Sequence, residues 1–170
     1  AFALALAGGA ERIAFNKMRN ESLQPQLVEP YGLLRSDNSR RPAFNAFRAV
    51  TTHFAGVQNT TWLQLGDIYI VTLDRGGQTT TVLWNVARTP TTFTLKAIAP
   101  QALLVDEQGN EQAIAASHGA YAIQLPGAVC SNGANCFIGG APRLIVEPGS
   151  PDQRASLTPP PTLPTNTPTP

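Results

Sequence analysis

Charge is scarce in this chain. Only 14% of its 170 residues are Asp, Glu, Lys or Arg, and the formal net charge is +1. Nothing in that balance selects nucleic acid or an anionic membrane as a partner. Long apolar runs are also missing: none reaches the roughly 18 residues that a membrane-spanning helix needs. The opening Ala1–Ala7 has the texture of a signal-peptide core, yet it carries neither an initiator methionine nor a basic flank. It reads instead as a buried helix end stopped by Gly8-Gly9, because glycine takes the left-handed cap conformation without strain. Histidine is limited to His53 and His118, too far apart in sequence to suggest a metal site. His53 suits the end of a helix, where a cation meets the dipole, and His118 falls in a turn. No metal or other cofactor is expected.

Cysteine is nearly absent. Cys130 and Cys136 close the short polar loop Cys-Ser-Asn-Gly-Ala-Asn-Cys. The spacing is wrong for C-x-x-C redox chemistry, and no second ligand pair exists for zinc. A local disulfide is expected, with two unrelated reduced thiols as the alternative. A disulfide points to an extracytoplasmic compartment.

What is present falls into three zones. Residues 1–57 read helix, strand, loop, helix. Arg12–Asn16 is the short apolar run of a buried parallel strand. Pro25 and Pro30 keep the loop from Arg19 to Pro30 irregular. Pro42 opens a helix, in which Ala43, Phe47, Val50 and Phe54 form one apolar stripe before Gly56. One strand between two helices offers apolar faces to neighbours that the sequence does not contain, so this zone reads as a fragment.

Residues 58–147 alternate short β-branched and aromatic runs with turn residues at intervals of about ten, the pattern of an antiparallel sandwich. Strands are expected at Thr61–Leu65, Ile68–Asp74, Thr79–Val86, Thr92–Ala97, Ala102–Asp106, Gln112–Ala115, Ala120–Leu125 and Pro142–Glu147. Trp84 is expected in the sandwich core. Trp62 is expected to fill the joint with the preceding helix; with Tyr69 it alternatively makes an exposed aromatic platform for a polysaccharide. Residues 148–170 read as a disordered linker: Thr158–Pro170 contains six prolines and five threonines, which favour extended polyproline conformations. Such tracts tether secreted domains and leave room for a further domain or anchor.

Two sets of motifs resemble one enzyme group. The first is Gly8-Gly9-Ala10-Glu11-Arg12-Ile13-Ala14, then Tyr31-Gly32-Leu33, then Arg41-Pro42-Ala43-Phe44. The second is Val82-Leu83-Trp84, Leu104-Val105-Asp106 with Gly109, Gly119–Pro126, and Pro142–Glu147. Together they resemble the end of the (β/α)8 barrel, and the small β-domain behind it, in retaining glycoside hydrolases of the clan that includes families 5, 39 and 42. The resemblance implies the C-terminal part of a secreted glycosidase. Residues 1–57 would be the barrel's end, 58–147 an accessory sandwich and 148–170 the linker. The fold class is then mainly β, with a carbohydrate substrate bound through barrel parts lying before Ala1. Members of the clan use two glutamates, at the ends of strands 4 and 7, separated by about 5–5.5 Å. No residue here matches either, so the chain alone is expected to be inactive.

Where the clan usually has an aromatic after strand 8, this chain has Phe15-Asn16-Lys17-Met18. Asn16 and Lys17 are the candidate substrate-binding residues, as donors to sugar hydroxyls; the alternative is that they only finish the barrel packing. Glu21 has at most a place on the cleft rim. The competing function is a non-catalytic carbohydrate-binding or spacer module, and a barrel that has lost catalysis for surface adhesion is a third.

Overall fold

Among the described residues the period-2 runs become eight strands. The structure, a computed structural model, describes residues 1–20, 31–129 and 139–156. The strands are β1 (Asn59–Leu65), β2 (Ile68–Asp74), β3 (Gln78–Asn85), β4 (Thr91–Lys96), β5 (Gln101–Val105), β6 (Glu111–Ala115), β7 (Ala120–Leu125) and β8 (Arg143–Pro148). Among the described residues three helices accompany them: α1 (Phe2–Ala7), α2 (Pro42–His53) and α3 (Pro151–Ser156). The expected mainly β, antiparallel class is what the chain adopts, and each of the eight strands expected within residues 58–147 lies within two residues of an observed one.

The strands form two antiparallel sheets, one of order β1-β2-β3-β8-β5-β6 and one pairing β4 with β7. Alternation of side chains then assigns the faces. From the large sheet Ile68, Ile70, Leu83, Ala102 and Ile145 meet Leu95, Tyr121, Ile123 and Leu125 of the small one, and this is the inter-sheet core. The intervening residues Val71, Leu73, Val82, Val105, Leu144 and Val146 form a second cluster on the other face, with Ala3 of α1 and Ala49 of α2. The order is therefore α1 and α2, large sheet, small sheet. The central strands are buried from both sides, which is why β3 shows little alternation in exposure.

Turn chemistry sets the hairpins. Asp74 accepts from the Gly76 amide at 3.0 Å, and Gly76 and Gly77 take positive φ of 70° and 99°. Asp106 accepts from the amides of Gln108 and Asn110 at 2.9 Å each and from Asn110 Nδ2 at 2.7 Å. Burial works against the Asp106 carboxylate, but these hydrogen bonds outweigh it and hold the group below its ordinary range. Elsewhere the β3–β4 and β7–β8 connections approach closely. A Cβ on Gly127 would land on the Arg88 carbonyl, and one on Gly140 would land on the Pro126 carbonyl.

The second helix meets the large sheet through Ala49 and His53, both buried, and not through the whole expected stripe, in which Ala43 is exposed. Arg75 donates through Nε to Ala55 O at 2.7 Å, and Thr80 Oγ1 donates to His53 O at 2.9 Å. His53 Nε2 lies 3.2 Å from Glu111 Oε1 on β6.

Four further expectations need correction. Residues 12–15 form no strand; among the described residues nothing lies alongside to take the ladder hydrogen bonds that a strand requires. Trp84 is outside the inter-sheet core: it shares the outer face with Val82 and stacks on Tyr69, ring centroids 5.1 Å apart and planes 13° apart. Trp62 fills no joint, being 56% exposed. Lastly, the stretch after β8 is not linker from its first residue, because α3 forms there. No described helix is long and apolar enough to cross a membrane. Cys130 and Cys136 lie outside the described residues, as do Glu21 and the Thr158–Pro170 tract.

Candidate functional site

The segment that holds Asn16 and Lys17 is positioned by its neighbour in space. Residues 17–20 run beside Gly32–Leu34: the Leu33 amide donates to Lys17 O at 3.2 Å, the Leu34 amide to Met18 O at 2.8 Å, and the Asn20 amide to Leu34 O at 3.2 Å. Leu33 is 1% exposed and anchors the pair. The buried Asn20 side chain accepts from the Gly32 amide at 2.8 Å. A Cβ at position 32 would strike that same Asn20 oxygen, so the glycine of Tyr-Gly-Leu is required by close approach rather than by a turn.

Between this pair and α2 lies the Ser36–Ser39 turn. Asp37 Oδ1 accepts from Ser39 Oγ at 2.7 Å and from the Ser39 amide at 2.9 Å. Hydrogen bonding from Ser39 is the main reason its carboxyl sits below its ordinary value. Asn38 adopts φ 66° and accepts from Arg19 Nη1 at 3.1 Å. Arg35 Nη1 donates to Ser39 Oγ at 3.1 Å and to Arg40 O at 2.9 Å. The Arg40 guanidinium covers the Phe44 ring, 4.6 Å from its centroid. The arginines of this loop hold the loop itself.

Asn16 is exposed and Lys17 half-buried, and the peptide joining them is cis. Phe15 packs on Phe47 of α2 at 5.4 Å, and Phe47 meets Phe2 of α1 at 6.0 Å. The two candidate sugar donors thus sit at the start of the braced segment, with Lys17 beside Leu33. Asn20, which the sequence does not single out, is an internal brace. No local pattern marks such a role, because the partner is twelve residues away.

The carboxylates with described contacts have structural duties. Asp37, Asp74 and Asp106 hold turns. Glu107 pairs with Arg143 at 2.5 Å, and Glu111 with His53. Glu147, fully buried, pairs with Arg154. A polar depression of about 390 Å³ beside the β5–β6 hairpin is lined by Asp106, Glu111, Gln112 and Arg143 among others. Its acidic groups are the ones already engaged in the turn and with His53.

One further arrangement stands out on the helix-facing side of the large sheet. Gln64, Tyr69 and Trp84 are cross-strand neighbours in one row, and Trp62 opposes Val71 in the next. Three aromatics therefore share one face, of which Trp62 is the exposed member.

No protein-family model matches this chain, and no curated protein matches it. Solved structures do. A family 39 glycoside hydrolase from the gut symbiont Bacteroides cellulosilyticus WH2 matches 76% of the chain at 24% identity and TM-score 0.53. A GH30 endoxylanase from Clostridium papyrosolvens C71 matches 73% at 11% identity and TM-score 0.50. This is a fold that glycoside hydrolases use. The chain spans 24% of the length of the first of these proteins and 31% of the second.

Proposed function

We propose that this chain is the C-terminal part of a secreted glycoside hydrolase. In this reading residues 1–57 end a catalytic (β/α)8 barrel, residues 58–147 with α3 form an accessory sandwich, and the Thr/Pro tract is a spacer. The observation that carries the reading is the likeness over three-quarters of the chain to a quarter of a family 39 enzyme. A second observation agrees. Leu4, Ile13, Phe15, Met18 and Tyr31 are between 38% and 63% exposed, and such side chains suit burial against further barrel elements. The catalytic carboxylate pair then stands on strands outside this chain. Asn16 and Lys17 line the cleft as donors to sugar hydroxyls. The Cys130–Cys136 loop is closed by a disulfide in the exported protein.

The test uses the complete protein. Its reading frame should hold on the order of 200 further barrel residues, with two glutamates at strand ends. The whole protein should release sugar from a polysaccharide panel and lose that activity when either glutamate is changed to glutamine. Absence of such a pair would remove the enzyme reading. The shared face of Trp62, Tyr69 and Trp84 supports the alternative, a carbohydrate-binding module. Polysaccharide retention by this chain alone, lost in Trp62→Ala, would favour that alternative.

A further inference from the structure

We infer that Arg154, beyond the last strand in a stretch that reads as tether, is the counter-ion that closes the inter-sheet core, and that Gly149–Arg154 is a latch holding that end of the sandwich shut. The argument starts from Glu147. It lies two residues after Ile145 on β8, so alternation points it between the sheets, and its side chain has no exposure. A carboxylate there requires a cation and hydrogen bonds. One oxygen accepts from the Ile98 amide at 2.7 Å and the Ala99 amide at 3.4 Å. The other is held by Arg154 Nη2. Arg154 also donates to Thr81 Oγ1 at 2.9 Å, and Tyr121 donates to Ala99 O at 2.6 Å. A single network thus joins β3, β7, β8, the β4–β5 connection and α3.

The return path is built to deliver this arginine. Gly149, at φ 108°, reverses the chain directly after β8. Its amide donates to Gly77 O at 2.8 Å, and its carbonyl accepts from Thr79 Oγ1 at 2.8 Å. Gln153 Oε1 accepts from the Ser150 amide at 3.0 Å and fixes the short turn. Releasing Arg154 strands a buried charge, so the latch and the core open together rather than one fraying before the other.

Hydrogen exchange on the full 170-residue chain tests this. In Arg154→Met, exchange should rise at least tenfold at Gly149–Arg154 and at Ile98–Ala99, while the β1–β2 hairpin is unchanged. Adding Glu147→Gln should restore protection at Ile98–Ala99, since the buried group is then neutral. Unchanged exchange at both places in Arg154→Met would overturn the inference. Should Arg154→Met fail to fold, folding of the double variant supports the counter-ion role, and failure of both alike overturns it.

Discussion

Residues 59–148 and residues 1–57 dispose of their apolar side chains in different ways. In the strands, alternate residues go to two buried layers, and Val71, Leu73, Leu83, Val105 and Ile145 retain 1% exposure or less. In the first 57 residues one side leans on the sheet, through Ala3 and Ala49, while Phe15, Met18 and Tyr31 stay open. The strand region closes its own core and lends its back to the helices. The helical region has no such closure, and the difference lies in pattern: period 2 repeated over eight strands against a single unpartnered extended run.

The sharpest way to break that contrast is to separate the two parts. Expressed alone, residues 1–57 should show no cooperative melt. Residues 58–156 should melt cooperatively, though below the whole chain, because the face carrying Val71 and Val146 loses its helical cover. A cooperative transition from 1–57 would end the distinction. Next in size is Ile145→Ala, between the sheets, which should cost about 2–5 kcal/mol in denaturant unfolding; a loss under about 1 kcal/mol would mean that the inter-sheet layer is loosely packed.

Tyr121→Phe gives a pH signature. Burial first, and the nearby Glu147 charge second, push the Tyr121 hydroxyl from 10.0 up to about 12. The fold favours the neutral phenol, so its contribution is complete below the unfolded value of about 10 and declines as pH rises toward 12. The phenylalanine variant should lose about 1 kcal/mol near neutral pH, for the bond to Ala99, and show a flatter alkaline limb. An unchanged alkaline limb would count against this assignment. Asp106→Ala should cost a similar or slightly smaller amount, roughly 1 kcal/mol, by freeing the β5–β6 turn. It should show as faster exchange of the Gln108 and Asn110 amides, and equal rates would contradict the turn's role. Smallest is Trp62→Ala. An exposed side chain away from the core should move stability by no more than about 0.5 kcal/mol; a larger loss would show that Trp62 is buried in solution.

The strands were legible because burial of alternate residues leaves a direct mark on composition, and because Asp-x-Gly and Asp-x-x-Gly-Asn name their turns. Pro42 opened α2 for an equally local reason. What was illegible depends on partners distant in sequence. Arg12–Asn16 has strand-like composition, but a strand is a pairing and not a property of one segment. Trp84 falls in the layer not expected because both faces of β3 are buried, so alternation alone cannot say which faces the helices. α3 was hidden by the proline-rich context around it, and its arginine matters only because a carboxylate seven residues earlier is buried. The candidate sugar donors Asn16 and Lys17 rest on resemblance, and the bracing of Lys17 by Leu33 is visible only in the fold.

The crossing at Gly127 and Gly140 bears on how far this sequence can drift. Both positions are blocked by main-chain carbonyls, which no rotamer change can move aside. Relatives could replace nearly every surface residue of the strands and still fold. At these two sites the backbone itself sets the alphabet to one letter. A library randomised at both and selected for folded protein should return glycine, whatever the neighbouring loops become.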